Sequence, residues 1–99
     1  LAEYPETDYD ISMLFDSDAA WADIHEAIMG QKKASALVKE AAFVDEYRGK
    51  QIPAGKKSVT IRLTIGSGEK TLTSQEIEAA AGQVMKELGK KLGAELTTQ

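Results

Sequence analysis

The sequence contains no cysteine, a single histidine and few aromatic residues, and it has no long hydrophobic run. The absence of cysteine excludes a disulfide scaffold, a thiol nucleophile and cysteine-ligated zinc, and it fits a reducing compartment. No apolar stretch approaches the roughly 20 residues needed to cross a bilayer, which excludes a membrane-spanning protein. The first 30 residues lack Lys and Arg and contain no hydrophobic segment typical of a signal peptide.

The length of 99 residues allows one compact domain, because two hydrophobic cores could not both be built from so short a chain. We therefore expect a soluble protein with a single core. The chain begins with Leu1 rather than Met, which suggests a fragment of a longer chain.

Acidic and basic residues are segregated along the chain, although the formal net charge is -4. Residues 1–30 contain eight acidic residues and neither Lys nor Arg. Residues 48–68 contain no acidic residue and five basic ones, Arg48, Lys50, Lys56, Lys57 and Arg62. A local basic segment on an acidic protein can contact phosphate groups. The alternative is an exposed hairpin whose lysines keep the protein soluble.

Alternation of apolar and polar residues predicts the strands. It is clearest in residues 59–65 and is also present in residues 9–15. The alanines of residues 36–48 favour helix, but the second half of that stretch, residues 43–47, looks extended and is predicted as a strand. Residues 94–98 add a short final strand.

Two helices are predicted from helical spacing and end signals. In the first, Trp21, Ile24 and Ile28 share a face, residues 16–18 supply capping side chains, and Gly30 is placed to end the helix. In the second, Thr73 and Glu76 form a capping box and Gly93 closes the helix. The apolar face of the second helix consists of Ile77, Ala81, Val84, Leu88 and Leu92.

The predicted order is strand, helix, strand, strand, helix, strand, which indicates an α+β sandwich with an antiparallel sheet and both helices on one face. The predicted core contains Trp21, Ile24, Ile28, Ile61, Leu63, Val84 and Leu88. This arrangement leaves the other sheet face open as a possible binding platform. By alternation, the open face is expected to carry Asp10, Ser12, Leu14, Val44, Glu46, Arg48, Thr60, Arg62 and Thr64.

No catalytic, cofactor or metal site is predicted. Gly49 and Gly55 are spaced too far apart for a nucleotide-binding phosphate loop, and Lys57 stands where that motif needs a hydroxyl. The segment also leads into a strand, whereas a phosphate loop leads into a helix whose N-terminus holds the anion. His25 has no second histidine at ligand spacing and is expected on a helix surface.

Tyrosine beside basic side chains suits binding of unpaired bases, because a stacked base contributes roughly 1–3 kcal/mol. Tyr4, Tyr9 and Tyr47 are the aromatic residues least needed by the core, and Tyr47 adjoins the basic segment. Packing at the edge of the core is the alternative use of each tyrosine.

Four short motifs carry a resemblance that covers nearly the whole chain. They are Tyr-Pro followed by Asp in residues 4–10, Asp-x-Tyr-Arg-Gly in 45–49, Ile-Pro-x-Gly-Lys-Lys-Ser in 52–58 and Thr-Leu-Thr-x-x-Glu in 71–76. In order and spacing, these motifs resemble the C-terminal anticodon-binding domain of the bacterial phenylalanyl-tRNA synthetase beta subunit.

The resemblance implies a ferredoxin-like βαββαβ fold and one anticodon-binding domain over residues 1–99. It implies binding of the anticodon stem-loop of phenylalanine tRNA, while ligation with ATP and magnesium takes place in the alpha subunit. The domain alone is then not an enzyme and holds no cofactor. The implied partners are that tRNA, the rest of the beta subunit and the alpha subunit in a cytoplasmic heterotetramer, with no membrane.

The resemblance also bears on the RNA-contacting residues. Family members commonly place two basic residues just before the position of Asp10, where this chain has Asp8 and Tyr9. This difference weakens a phosphate contact at the first strand. The predicted RNA-binding residues are Tyr47, Arg48, Lys56, Lys57, Ser58 and Arg62. The rival interpretation is a ferredoxin-like protein-interaction domain that docks a neighbouring domain through its open face without touching RNA.

Overall fold

The computed structural model describes residues 4–31 and 33–97. The elements in chain order are β1 (Thr7–Asp16), α1 (Trp21–Met29), β2 (Val38–Tyr47), β3 (Lys56–Ile65), α2 (Ser74–Leu92) and β4 (Glu95–Leu96). The strands form one sheet in the order β2-β3-β1-β4, with every neighbouring pair antiparallel. The predicted ferredoxin-like α+β fold is therefore confirmed. Thr98, which was predicted within the last strand, lies outside the described residues.

The central strands β1 and β3 define the two faces of the sheet. Ile11 pairs with Ile61 and Met13 pairs with Val59, and all four side chains are buried beneath the helices. Because side chains alternate across a strand, the residues between them point to the other face. That face is exposed to solvent at positions such as Asp10.

Both helices cover the same face and close one hydrophobic cluster. Helix α1 contributes Ile24 and Ile28, and α2 contributes Val84 and Leu88. Trp21 packs at the edge of this cluster, so the predicted core is confirmed. Within the described ranges, neither helix is both long and apolar enough to cross a membrane.

The ends of the two helices differ in how well local signals define them. The Thr73 side chain accepts from the Glu76 amide over 3.2 Å, and the Glu76 carboxylate accepts from the Thr73 amide over 2.9 Å, as the capping box predicts. Helix α1 instead has Ala20 at its N-cap, with no side-chain capping bond. The capping predicted from residues 16–18 was wrong, because α1 begins only at Trp21 and these three residues all lie before its N-cap position.

Strand β2 starts earlier than the sequence suggested. Its alanine-rich first half was expected to favour helix, but Val38 and Ala41 are buried opposite Ile65 and Leu63 of β3. Pairing with β3 therefore overrides the weak helical preference of these residues.

A bulge between Phe43 and Asp45 changes which residues of β2 face outward. The extra residue shifts the alternation by one position, so Asp45 lies opposite Thr60 and Tyr47 lies opposite Ser58 on the open face.

Glu46, which was predicted on that open face, is instead paired with the buried Val59. The prediction for Glu46 was wrong because simple alternation cannot anticipate an inserted residue.

Candidate nucleic-acid interface

The hairpin between β2 and β3 ends in a compact tip that is attached to the loop between β1 and α1. Within the tip, the Ile52 amide donates to the Gly49 carbonyl over 3.0 Å. Gly55 has a φ of 81°, in the left-handed region that favours glycine. The Gly55 carbonyl accepts from the Ser17 amide over 2.9 Å, which holds the tip against the body of the sandwich.

Tyr47 lies at the base of this hairpin and is 52% exposed. Its register partner on the open face is Ser58, and Leu14 follows on β1. A methyl group added at Gly49 would collide with the ring and hydroxyl of Tyr47, so the glycine makes room for that ring. An exposed ring on a sheet surface is a suitable platform for a stacked base.

The next pair of residues on the open face, beside Tyr47 and Ser58, is polar. Asp45 is opposite Thr60, whose hydroxyl is 2.8 Å from that of Ser12. One oxygen of Asp45, Oδ1, accepts from the Glu46 amide over 2.8 Å, and Oδ2 has no hydrogen-bond partner among the described residues. A carboxylate oxygen of this kind can accept from the N–H groups of a base edge.

Basic residues of segment 48–68 are paired with acidic residues of β1. Arg62 donates to both carboxylate oxygens of Asp10, over 2.9 and 3.0 Å. Lys56 donates to Asp16 over 2.9 Å. An RNA phosphate must compete with these carboxylates, so the segment is less available to anions in the fold than the sequence suggests.

Lys57 lies on the helix-facing side of β3 and is 6% exposed. Its ammonium donates to the Ala19 carbonyl over 2.6 Å and pairs with Glu46 at 3.1 Å. The second oxygen of Glu46 accepts from Arg48 over 3.2 Å, and Arg48 also donates to the Ser17 carbonyl over 2.8 Å. Lys57 is therefore occupied inside the protein, a position that does not suit direct contact with an external phosphate.

The ion pairs also shift the pKa values of their members. The hydrogen bond from Arg62 holds the pKa of Asp10 below its ordinary value, and that from Lys57, followed by that from Arg48, lowers the pKa of Glu46. These carboxyls are thus charged at neutral pH and remain effective competitors for the neighbouring cations.

The six predicted RNA-contacting residues fall into two groups. The open-face group consists of Tyr47, Lys56, Ser58 and Arg62. The other two, Arg48 and Lys57, bind the β1–α1 loop through its backbone carbonyls. The structure therefore brings together four of the six on one surface.

Sequence reasoning missed two features of this surface. Asp45 was not placed on the open face, because the bulge that turns it outward leaves no clear pattern in the sequence. The inward position of Lys57 could have been predicted, because residues two apart on a strand share a face and Lys57 precedes the buried Val59 and Ile61 at that spacing.

No cluster of His, Asp or Glu that could hold a metal ion is found among the described residues. In the same part of the chain, every buried side-chain nitrogen or oxygen has a hydrogen-bond partner.

A family model and the sequences of curated relatives both match nearly the whole chain. The family model for the ferredoxin-fold anticodon binding domain matches residues 2–97. The phenylalanine–tRNA ligase beta subunit of Syntrophotalea carbinolica is 38% identical over 97% of this chain, and that of Bradyrhizobium diazoefficiens is 40% identical over 97%. The same subunit of Carboxydothermus hydrogenoformans is 39% identical over 99%. The matched region spans 12% of the length of each of these three relatives.

Proposed function

The chain belongs to the family of ferredoxin-fold anticodon-binding domains, and from that premise we propose that it binds the anticodon stem-loop of phenylalanine tRNA. It would do so as a single domain of a phenylalanine–tRNA ligase beta subunit, the protein that its relatives are named for. The tRNA would be positioned here for a reaction catalysed elsewhere in the enzyme.

The observation that carries the proposal is the exposed ring of Tyr47 beside the hydroxyl of Ser58 on an open sheet face. A base of the anticodon loop is unpaired, so it can leave its neighbours and stack on that ring. The free oxygen of Asp45 lies one register position away and can accept from the base edge. Stacking supplies affinity, and the polar groups supply discrimination among bases.

Phosphate contacts are assigned to cations of the open face and of the hairpin base. Lys56 and Arg62 reach phosphate by exchanging the carboxylates of Asp16 and Asp10 for it. Arg48, whose side chain is 51% exposed, adds a third positive charge at the base of the hairpin. Because each exchange gives up an existing ion pair, the isolated domain should bind weakly and lose affinity steeply with added salt.

The complete ligase would join phenylalanine to its tRNA with ATP and magnesium in the alpha subunit. These cofactors and the heterotetramer belong to the proposal for the parent protein, as does a cytoplasmic location. The residues of this chain contribute recognition of the tRNA.

Binding titrations with two RNAs test the proposal. The probes are the anticodon stem-loop of phenylalanine tRNA and a base-paired duplex of equal length. We expect the intact chain to prefer the stem-loop, and Tyr47→Leu to weaken stem-loop binding about tenfold with little effect on the duplex. The matched control is Phe43→Leu, which changes an aromatic residue on the same strand that packs against Trp21, with ring centres 5.8 Å apart. Equal binding of the two RNAs, or an unchanged affinity in Tyr47→Leu, would contradict the proposal.

The pairing of charges on the open face favours a second candidate function. The Asp10–Arg62 and Asp16–Lys56 pairs neutralise two of the cations on that face, as suits a surface that docks against a neighbouring protein domain. This candidate predicts no preference for the stem-loop and no dependence of RNA binding on Tyr47. The same titrations therefore separate the two functions.

A further inference from the structure

We propose that Lys57 is a positioning residue, which fixes Tyr47 for stacking without touching RNA. This inference rests on the proposed function. It assigns to Lys57 a role opposite to that of its neighbour Lys56, although both belong to the same basic pair in the sequence. Lys56 is on the open face, whereas Lys57 is buried on the helix-facing side.

The first part of the argument is the set of contacts that Lys57 makes. Its ammonium bridges two parts of the chain, the Ala19 carbonyl in the β1–α1 loop and the Glu46 carboxylate on β2. A phosphate would have to displace both partners and reach a residue that is 6% exposed. Burial and two short contacts therefore argue against a phosphate contact.

The second part is the position of Tyr47 between two fastened residues. Glu46, which precedes it, is held by Lys57, and Arg48, which follows it, is held by Glu46 and by the Ser17 carbonyl. The backbone on both sides of Tyr47 is thereby fixed to the β1–α1 loop. A fixed backbone limits the directions in which the ring can point, so less ordering is needed when a base stacks on it.

We call these contacts of Lys57, Glu46 and Arg48 with one another and with the β1–α1 loop the clamp. Two substitutions test the clamp, and they change charge in opposite directions. Lys57→Met removes a positive charge and keeps most of the apolar stem. Glu46→Gln removes a negative charge from the same cluster, so simple electrostatics predicts tighter RNA binding for this variant. The clamp predicts that both variants lose stem-loop preference over the duplex by about threefold to tenfold, a part of what a stacked base contributes.

Matched controls isolate the charge change. Lys56→Met removes the neighbouring lysine on the open face, whose side chain is 29% exposed, and Asp18→Asn removes an exposed acid from the β1–α1 loop. We expect Lys56→Met to make the negative slope of log affinity against log salt shallower by about 0.7, the value for one phosphate contact on a single strand. Lys57→Met should leave that slope unchanged. Asp18→Asn should keep the stem-loop preference of the unaltered chain.

A measurement without RNA keeps the inference testable if the proposed function fails. The Ser17 amide donates to Gly55 across the clamped junction, so its hydrogen exchange reports whether that junction is closed. Exchange at Ser17 should be faster in Lys57→Met and Glu46→Gln than in the controls, with urea midpoints recorded to exclude general unfolding.

The outcomes separate the two proposals. A reduced salt slope with preserved loop preference in Lys57→Met would mean direct phosphate contact, which overturns the inference and leaves the proposed function standing. Unchanged Ser17 exchange in both clamp variants, or tighter and equally selective binding in Glu46→Gln, would also overturn it. A chain that never prefers the stem-loop contradicts the proposed function, and faster Ser17 exchange would then still support the clamp itself.

Discussion

Gly49 lies where the exposed ring of Tyr47 folds back over the hairpin backbone. A methyl group at this position would collide with the Tyr47 ring and hydroxyl. We expect Gly49→Ala to displace the ring, weaken stem-loop binding severalfold and change the free energy of unfolding by less than about 0.5 kcal/mol, as is usual for exposed positions. Gly68→Ala is the control, because a methyl group there meets no atom within 4 Å. Equal RNA affinity in the two alanine variants would show that the ring position is unimportant.

The Glu46 carboxyl makes the stability of the fold depend on pH. Lys57, followed by Arg48, lowers its pKa from the ordinary 4.5, so the folded state holds the proton less tightly than the unfolded state. The resulting stability is complete above the ordinary pKa and is lost as the pH falls through the lowered value. We expect the urea midpoint to fall on acidification below about pH 4.5, and Glu46→Gln to make this fall shallower. Glu78→Gln, an exposed change on α2, should retain the full acid dependence; equal slopes in both variants would contradict the assignment to Glu46.

At the scale of elements, helix α2 stabilises the sandwich by burying one face against β1 and β3. Leu88 is fully buried within the central cluster. We expect Leu88→Ala to lower the free energy of unfolding by about 2–5 kcal/mol, through lost burial and the cavity left behind. Lys86→Ala, on the exposed side of the same helix, should cost less than about 0.5 kcal/mol. Urea denaturation of the two variants measures the difference, and similar midpoints would mean that α2 does not anchor the core.

The elements that sequence reasoning predicted best are those whose local signals agree. Alternation in β3 and the capping box of α2 point to the same structure as the tertiary contacts do. The first half of β2 was harder to predict, because its alanines favour helix and only pairing with β3 makes it a strand. The candidate site shows the same limit. Tyr47 and Ser58 were identified from motifs, whereas the outward turn of Asp45 depends on a bulge set by strand register.

At the scale of the whole molecule, charge segregated along the sequence becomes paired in the fold. The acidic β1 lies directly beside the basic β3, so Asp10 meets Arg62. We expect Asp10→Asn to release Arg62 and raise RNA affinity, because Arg62 then reaches phosphate without giving up an ion pair. Glu78→Gln makes the same change in net charge far from the pair and should raise the affinity less. Equal affinities in the two variants would mean that Arg62 does not reach phosphate.

The bulges of β2 have a consequence for behaviour at high concentration. This strand forms one border of the sheet and carries the exposed apolar residues Phe43 and Val44. A regular strand of this composition would be a template on which a second copy could add its own strand and begin to aggregate. Two irregularities, at 38–40 and 43–45, interrupt the even spacing of backbone groups that such an addition needs. The inserted residue that turns Asp45 outward should therefore also disfavour strand addition by a second copy, and we expect deletion of Val44 to impair RNA recognition and solubility together.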